Sequence, residues 1–365
     1  MIKLQEIISI LEEFAPPALQ ESFDNSGLIV GDRGREVKKG LITLDVTEKV
    51  LQEALEKNCD VIFTHHPILF KGLKSITGSN AEERIITQSV KNDIAIYAFH
   101  TNLDNAGEGI NKYLSDKLGL TNTRILLPMA GMLRKLVTFC PIAHAEKVRK
   151  AVFSTGAGHI GNYDCCSFNS EGMGSFRGLE NTNPFVGKKG SIHFEKEVRI
   201  ETIYPQYAEE KILNALFGSH PYEEVAYDIY PLNNVFRGAG SGMIGDLAIE
   251  EEEEASLMRI KHALKIRYIR HSPLSGRKIR RIAVCGGSGS FLIPIALKAG
   301  ADLFMTSDLK YHSFFDTNNK IVIVDAGHYE TEECAKELIY NLLNEKFSNF
   351  AVLISETNTN PVNYY

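Results

Sequence analysis

None of the six cysteines (Cys59, Cys140, Cys165, Cys166, Cys285 and Cys334) stands in a C-x-x-C spacing. Several fall in apolar runs, where Cys behaves as a small hydrophobe. The pattern predicts reduced, buried thiols of a cytoplasmic protein rather than a disulfide framework. No apolar run is long enough to cross a bilayer. The opening MIKLQEIISILEEFAPP lacks the unbroken apolar centre of a signal peptide, because Glu6, Glu12 and Glu13 interrupt it, and it reads as an amphipathic first helix. A basic excess is also missing: the formal net charge is -6 and the pI about 6.0, which disfavours a dedicated nucleic-acid binder.

What remains is an ordinary globular composition, 44% apolar and 24% charged, over 365 residues, a length that suggests more than one domain. GLITLDVT (residues 40–47), CDVIFTH (59–65) and DIAIYAFHTNLD (93–104) read as strands, separated by helical patterns at 48–57 and 82–91. Strand–helix alternation predicts an α/β fold with a parallel sheet covered on both faces, in which ligands bind at the carboxyl ends of strands. After residues 127–131 the pattern changes. KLVTFC, NYDCCSF, GSIHFE, VRIETIYP and EVAYDIYPL read as short strands, with helices at 144–154 and 208–218, as in a compact α+β module. The glycine-rich GAGSGMIG (238–245) reads as its exit. The α/β rhythm then returns, with a helix at 251–265, the strand RIAVCGG, a helix to Ala299, the strands ADLFMTS and KIVIVDAGH, and a helix over 330–344. The chain is either one α/β domain split by an insert or two domains in tandem. Glu250 to Glu254 form an acidic run at the start of a helix that carries Lys261 and Lys265 later, the polarity the helix dipole favours.

Histidines and carboxylates cluster just past the predicted strands. His65 and His66 precede Pro67; His100 and Asp104 lie in FHTNLD; Asp308 and His312 lie in SDLKYH; His328 and Glu332 are four apart on a helix, so they share one face. Side chains at adjacent strand positions diverge, and Pro67 makes it possible for both His65 and His66 to turn into one cavity. This many imidazoles and carboxylates exceeds what one tetrahedral zinc needs and suits two ions sharing a carboxylate. Imidazole content favours zinc, iron, manganese or cobalt over magnesium or calcium. His100 and His312 read as rim residues, hydrogen-bonded partners of the ligands or proton carriers rather than direct ligands.

Three further features carry less. CGGSGS (285–290) resembles a phosphate-cradling turn but has Leu292 at the third glycine position and no Walker lysine. Arg267, Arg270, Arg277, Lys278, Arg280 and Arg281 read as a solvated face. His220, Glu223 and Glu224 read as turn and strand packing.

The blocks FDNSGLIVGD (23–32), FTHHPILF, HTNLD, SDLKYH and DAGHYETE occur in an order that resembles the Nif-three-like family, the GTP cyclohydrolase 1 type 2 homologues of bacteria. Phe23 stands where that family usually has Trp. The resemblance implies a two-lobed α/β core with mostly parallel sheets, residues 1–130 and 237–365, interrupted by an α+β ferredoxin-like (PII/CutA-like) insert at 131–236. It implies two divalent metal ions (zinc, iron or manganese) held by His65, His66, Asp104, His328 and Glu332. Asp24, Asn25 and Asp308 are then candidates for binding substrate, and His100 and His312 for moving protons. The family assembles as a toroidal homohexamer, a trimer of dimers.

Two functions follow. One is a cytoplasmic metal-dependent hydrolase that attacks a nucleotide or related heterocycle through a metal-bridging hydroxide, as in a cyclohydrolase. The other is a metal-containing hexameric scaffold whose insert senses a ligand and which does not turn over GTP. An open coordination position distinguishes them, since catalytic sites keep a place for water.

Overall fold

The structure is a computed structural model that describes residues 1–316 and 320–364. The chain divides into two compact units: Met1–Pro128 with Arg237–Tyr365, and Met129–Phe236 between them. The first unit contains two principal sheets, giving a mixed α/β fold.

The first sheet has five strands in the order Ala351–Ile354, Lys39–Thr43, Val61–Thr64, Ala95–Ala98, Gly27–Val30. The first four run parallel, and Gly27–Val30 closes the edge antiparallel to Ala95–Ala98. Val61–Thr64 and Ala95–Ala98 are buried at every position, as strands covered on both faces must be. Leu41, Ile62 and Ile96 meet Val50 and Leu51 of the helix Glu48–Glu56 and Ile85 and Ile86 of the helix Ala81–Lys91. Thr47 and Asn80 cap those two helices, their side chains accepting from Val50 N and Glu83 N.

The second sheet has six strands in the order Arg270–His271, Val322–Asp325, Leu303–Ser307, Ile279–Ser288, Phe236–Glu251, Thr121–Met129. Val322–Asp325, Leu303–Ser307 and Ile279–Ser288 pair parallel, whereas Arg270–His271 pairs antiparallel to Val322–Asp325 and Phe236–Glu251 antiparallel to Ile279–Ser288. The C-terminal strand Ala351–Ile354 thus joins the sheet made by the N-terminal residues, while Thr121–Met129 joins the sheet made by the C-terminal ones.

Several expectations are corrected. GAGSGMIG is not a connection but lies inside the long strand Phe236–Glu251. Its glycines serve close approach: a Cβ on Gly240 would sit 2.1 Å from the Leu127 carbonyl oxygen of the neighbouring strand. NYDCCSF forms a turn that places Cys165 at a φ of +52°, and the strand begins at Phe168. Cys165 is exposed and Cys166 half-buried, whereas the other four cysteines are buried. The HFE of GSIHFE and VRIETIYP are parts of one strand, His193–Pro205.

The second unit runs strand Leu133–Pro141, helix Ala145–Phe153, strands Phe168–Phe176 and His193–Pro205, helix Glu209–Ser219, strand Tyr227–Leu232. Its sheet is antiparallel, in the order Tyr227–Leu232, Leu133–Pro141, His193–Pro205, Phe168–Phe176. Leu136, Val198, Ile200 and Tyr204 from the sheet pack with Val148, Val152, Ile212 and Leu216 from the two helices. His220 spends both ring nitrogens locally, on the Phe139 carbonyl and the Tyr222 N–H. The basic stretch of the first unit is largely paired: Arg270 with Asp325, Lys278 with Glu250, Arg281 with Asp246.

Candidate metal centre

The strand Val61–Thr64 ends just before His65, but the chain keeps its place in the sheet for two more residues: His65 N donates to Thr43 O and His66 N to Leu44 O. The strand's alternation is broken there, and the His65 and His66 rings stand with centroids 4.8 Å apart. Next along the sheet, the chain leaves Ala95–Ala98 and turns into the short helix Thr101–Asn105, which carries Asp104. From the second sheet, Val322–Asp325 leads into the helix His328–Glu332. Carboxyl ends of strands from both sheets therefore deliver His65, His66, His100, Asp104, His328 and Glu332 to one place.

Their polar atoms converge. His66 Nε2 and His328 Nε2 are each 2.9 Å from Glu332 Oε2 and 3.3 Å from one another. His65 Nε2 lies 3.6 Å from the same oxygen and 3.7 Å from Asp104 Oδ1. Three groups each bring their ligand atoms within 4.8 Å: His66, His328 and Glu332; His65, Asp104 and Glu332; His65, His66 and His100. Glu332 belongs to two of these groups and is the carboxylate they share.

Behind the cluster, three carboxylates orient three imidazoles. His66 Nδ1–H donates to Asp45 Oδ1 at 2.7 Å, His100 Nδ1–H to Asp24 Oδ1 at 2.7 Å, and His328 Nδ1–H to Asp308 Oδ2 at 2.6 Å. Each bond fixes the ring and turns Nε2 toward the centre, as carboxylates behind metal-binding histidines do. Asp45 was not singled out in the sequence; its position just past the end of Lys39–Thr43 was the available signal. Asp24 and Asp308, expected from the sequence to be substrate contacts, hold His100 and His328. Asp24 also accepts from Thr101 N and Ser26 Oγ. Asn25 donates to the Leu69 carbonyl, a loop-fixing bond. His312 sits exposed on the turn Tyr311–Phe315, its ring against Tyr311 and Phe315, in none of the three groups.

Within the cluster, burial and neighbouring charges act in opposite directions. His65 is fully buried, and burial lowers its pKa to about 4. Burial alone would also lower His66 and His328, but the carboxylates of Asp45, Asp308 and Glu332 outweigh it and raise them to about 10 and about 9. Burial and the neighbouring charge of Glu332 push the Asp104 carboxyl well above its usual range, while burial of Glu332 is overcome by the surrounding imidazoles, which hold it low.

Both ring nitrogens of His65, Asp104 Oδ1 and Glu332 Oε2 are buried with no hydrogen-bond partner. The short N···O approaches to Glu332 are close enough for bonding but not aligned for it. Such orphaned atoms are costly unless something else occupies the space between them. Ligands that share an ion at bond lengths of ~2.0–2.2 Å stand roughly 3–4 Å apart, and these atoms do. The donor set of imidazole and carboxylate fits a metal-binding protein.

CGGSGS also finds its role here. It ends the strand Ile279–Ser288, and at Gly287, where φ is +60°, a Cβ would lie 2.0 Å from Glu332 Oε1. The glycine clears space for the carboxylate rather than cradling a phosphate, and the helix that follows, Ile293–Lys298, is short.

The family model Duf34/NIF3 (NGG1p interacting factor 3) matches residues 2–361. The chain belongs to the Duf34/NIF3 family. The GTP cyclohydrolase 1 type 2 homolog of Bacillus subtilis is 39% identical over 366 residues, covering 99% of this chain and 98% of the relative. A crystal structure of a Bacillus cereus protein related to NIF3 superposes with a TM-score of 0.86 at 39% identity, over 100% of this chain and 99% of that one. A Staphylococcus aureus protein structure gives 0.76 at 31% identity, with 100% and 99% coverage.

Beside the cluster, this Duf34/NIF3 chain has a cavity of about 430 Å³, lined by His100, Asp104, His328 and Glu332 on one side. Phe23 and Phe291 line it too, both more than half exposed. No described helix is long and apolar enough to cross a membrane.

Proposed function

We propose that this Duf34/NIF3 protein is a di-metal hydrolase that acts on a nucleotide or related heterocycle. His66, His328 and Glu332 would hold one divalent ion; His65, Asp104 and Glu332 would hold a second. Zinc, iron and manganese all suit these ligands. The observation that carries the reading is the set of buried, unpartnered atoms of His65, Asp104 and Glu332 converging beside an open cavity. When bound, two such ions supply an acidified water and a clamp on the bond under attack. His100, held by Asp24 at the cavity wall, is placed to pass a proton. Phe23 and Phe291 offer apolar surface for a flat ring. The name carried by the curated relatives supports a cyclohydrolase-like reaction.

The same reading takes the protein to be a cytoplasmic toroidal homohexamer, with residues 131–236 as a ferredoxin-like (PII/CutA-like) insert between core lobes 1–130 and 237–365. The βαββαβ order and the antiparallel sheet of the second unit support that build.

Elemental analysis of anaerobically purified protein, followed by product analysis with GTP and a small nucleotide panel, tests the proposal. The expected result is about two ions per chain and metal-dependent turnover. Unchanged metal content in the double variant His65→Ala, Glu332→Ala would sink the metal assignment. Full metal content with no turnover of any nucleotide would sink the hydrolase assignment and leave a binding scaffold.

A further inference from the structure

A second cavity, of about 550 Å³, lies wholly within the unit Met129–Phe236 and is independent of the metal cluster. That volume is in the range of small-molecule sites. Strand alternation explains where it forms. In His193–Pro205, Val198 and Ile200 face the helices, so Glu197 and Arg199 occupy the opposite face. The neighbouring strand sets Gly172 against Glu197 and Ser170 against Arg199, so this face carries Ser170, Gly172 and Gly174 in succession. These residues leave a trough with almost no side chains in it. Phe176 ends the trough, and Phe185 and Tyr222 line it, with ring centroids 5.9 Å (Phe176–Tyr222) and 6.3 Å (Phe185–Tyr222) apart.

Glu197 lies in this cavity and is only 9% exposed. Its Oε1 accepts from the Tyr222 hydroxyl at 2.8 Å; among the described residues no donor meets Oε2. The carboxylate rests on the backbone of Gly174, where an added Cβ would come within 2.1 Å of Oε2, so any side chain there would displace it. Arg199, the cation nearest in register, pairs instead with Glu201 at 2.9 Å. Glu171, Glu223 and Glu224 line the same cavity, against Arg177 and Arg199. A mostly buried carboxylate whose second oxygen opens to the cavity, aromatic walls and an acidic surround suit a cation carrying N–H donors.

We propose that this cavity binds a small organic cation with a flat apolar body, whose N–H groups donate to Glu197 Oε2 while its body lies against Phe176, Phe185 and Tyr222. An amidinium, a guanidinium or a protonated heterocyclic amine has this chemistry. The proposal stands whether or not the metal cluster is catalytic.

The test is calorimetric titration of the full-length protein with benzamidine, a flat amidinium, alongside benzamide, its neutral counterpart of the same shape. Charge-assisted hydrogen bonds contribute enough that benzamidine should bind about tenfold or more tightly than benzamide. Glu197→Gln should abolish that preference, Phe185→Ala should weaken binding of both compounds, and His65→Ala should change neither. No benzamidine binding, equal affinity for benzamide, or unchanged binding in Glu197→Gln would overturn the proposal. If Glu197→Gln fails to fold, the benzamidine-to-benzamide ratio and the Phe185→Ala variant decide it.

Discussion

Asp45 and His66 meet across the carboxyl ends of two adjacent parallel strands: His66 Nδ1–H donates to Asp45 Oδ1 at 2.7 Å, and Nε2 of the same ring lies 2.9 Å from Glu332 Oε2. One carboxylate thus sets the direction of a ring that faces another. Thr359 holds Asp45 in turn, donating to Oδ2 at 2.8 Å. Asp45→Asn removes the charge that orients and strengthens the imidazole while keeping its shape. We expect metal retention to fall by about 10–100-fold, measured by competition with a chelator.

His328 and His312 have opposite surroundings. His328 is locked between Asp308 and Glu332, whereas His312 packs on Tyr311 and Phe315 at the surface. His328→Ala should reduce bound metal, and His312→Ala should leave it unchanged. Elemental analysis of both variants checks this, and metal loss in His312→Ala would contradict the placement of that ring.

Gly287 is required by both conformation and space. Its φ of +60° strains any residue with a Cβ, at a cost of roughly 1–2 kcal/mol. The Cβ of Gly287→Ala would also meet Glu332 Oε1 at 2.0 Å. The variant should lose stability and, more tellingly, bind metal less well even when it folds, because Glu332 must move. Thermal unfolding with and without added metal distinguishes the two effects: strain lowers both curves, and displacement of Glu332 also shrinks the gap between them.

Glu53 makes stability depend on pH away from the metal cluster. Burial alone would raise its pKa, but Lys57 Nζ at 2.8 Å, the Ser355 hydroxyl at 2.6 Å and the Glu356 N–H at 2.9 Å hold it at about 2, below the usual 4.5. The folded form therefore prefers the carboxylate. The stabilisation is present above about pH 4.5 and is lost as the pH falls toward 2. Wild-type protein should lose on the order of 2–3 kcal/mol from this group across that window. Glu53→Gln should be less stable at pH 7 and show a flatter acid limb in denaturant unfolding.

Much of the centre is legible in short segments. A turn forced by Pro67 after a buried strand, and a histidine and glutamate four apart on a helix, are local patterns whose geometry follows from backbone periodicity. The α/β alternation of the flanking segments is legible for the same reason, since burial on both faces of a parallel strand demands a continuous apolar run.

The exceptions all depend on distant neighbours. GAGSGMIG reads as a linker because its glycines have no local partner, yet it lies in a strand, where the Leu127 carbonyl comes too close to Gly240 for a side chain. The exchange of Thr121–Met129 and Ala351–Ile354 between the two sheets is likewise a matter of pairing, not propensity.

The sequence by itself determined which residue types sit at the ends of which strands, because periodicity and turn chemistry act within a few residues. Which carboxylate faces which imidazole was decided only by the tertiary structure. Asp24 lies 76 positions from His100. Sheet order and the strand crossovers bring such pairs together, and a hydrogen bond of under 3 Å has no signature in a sequence until the fold has closed that distance.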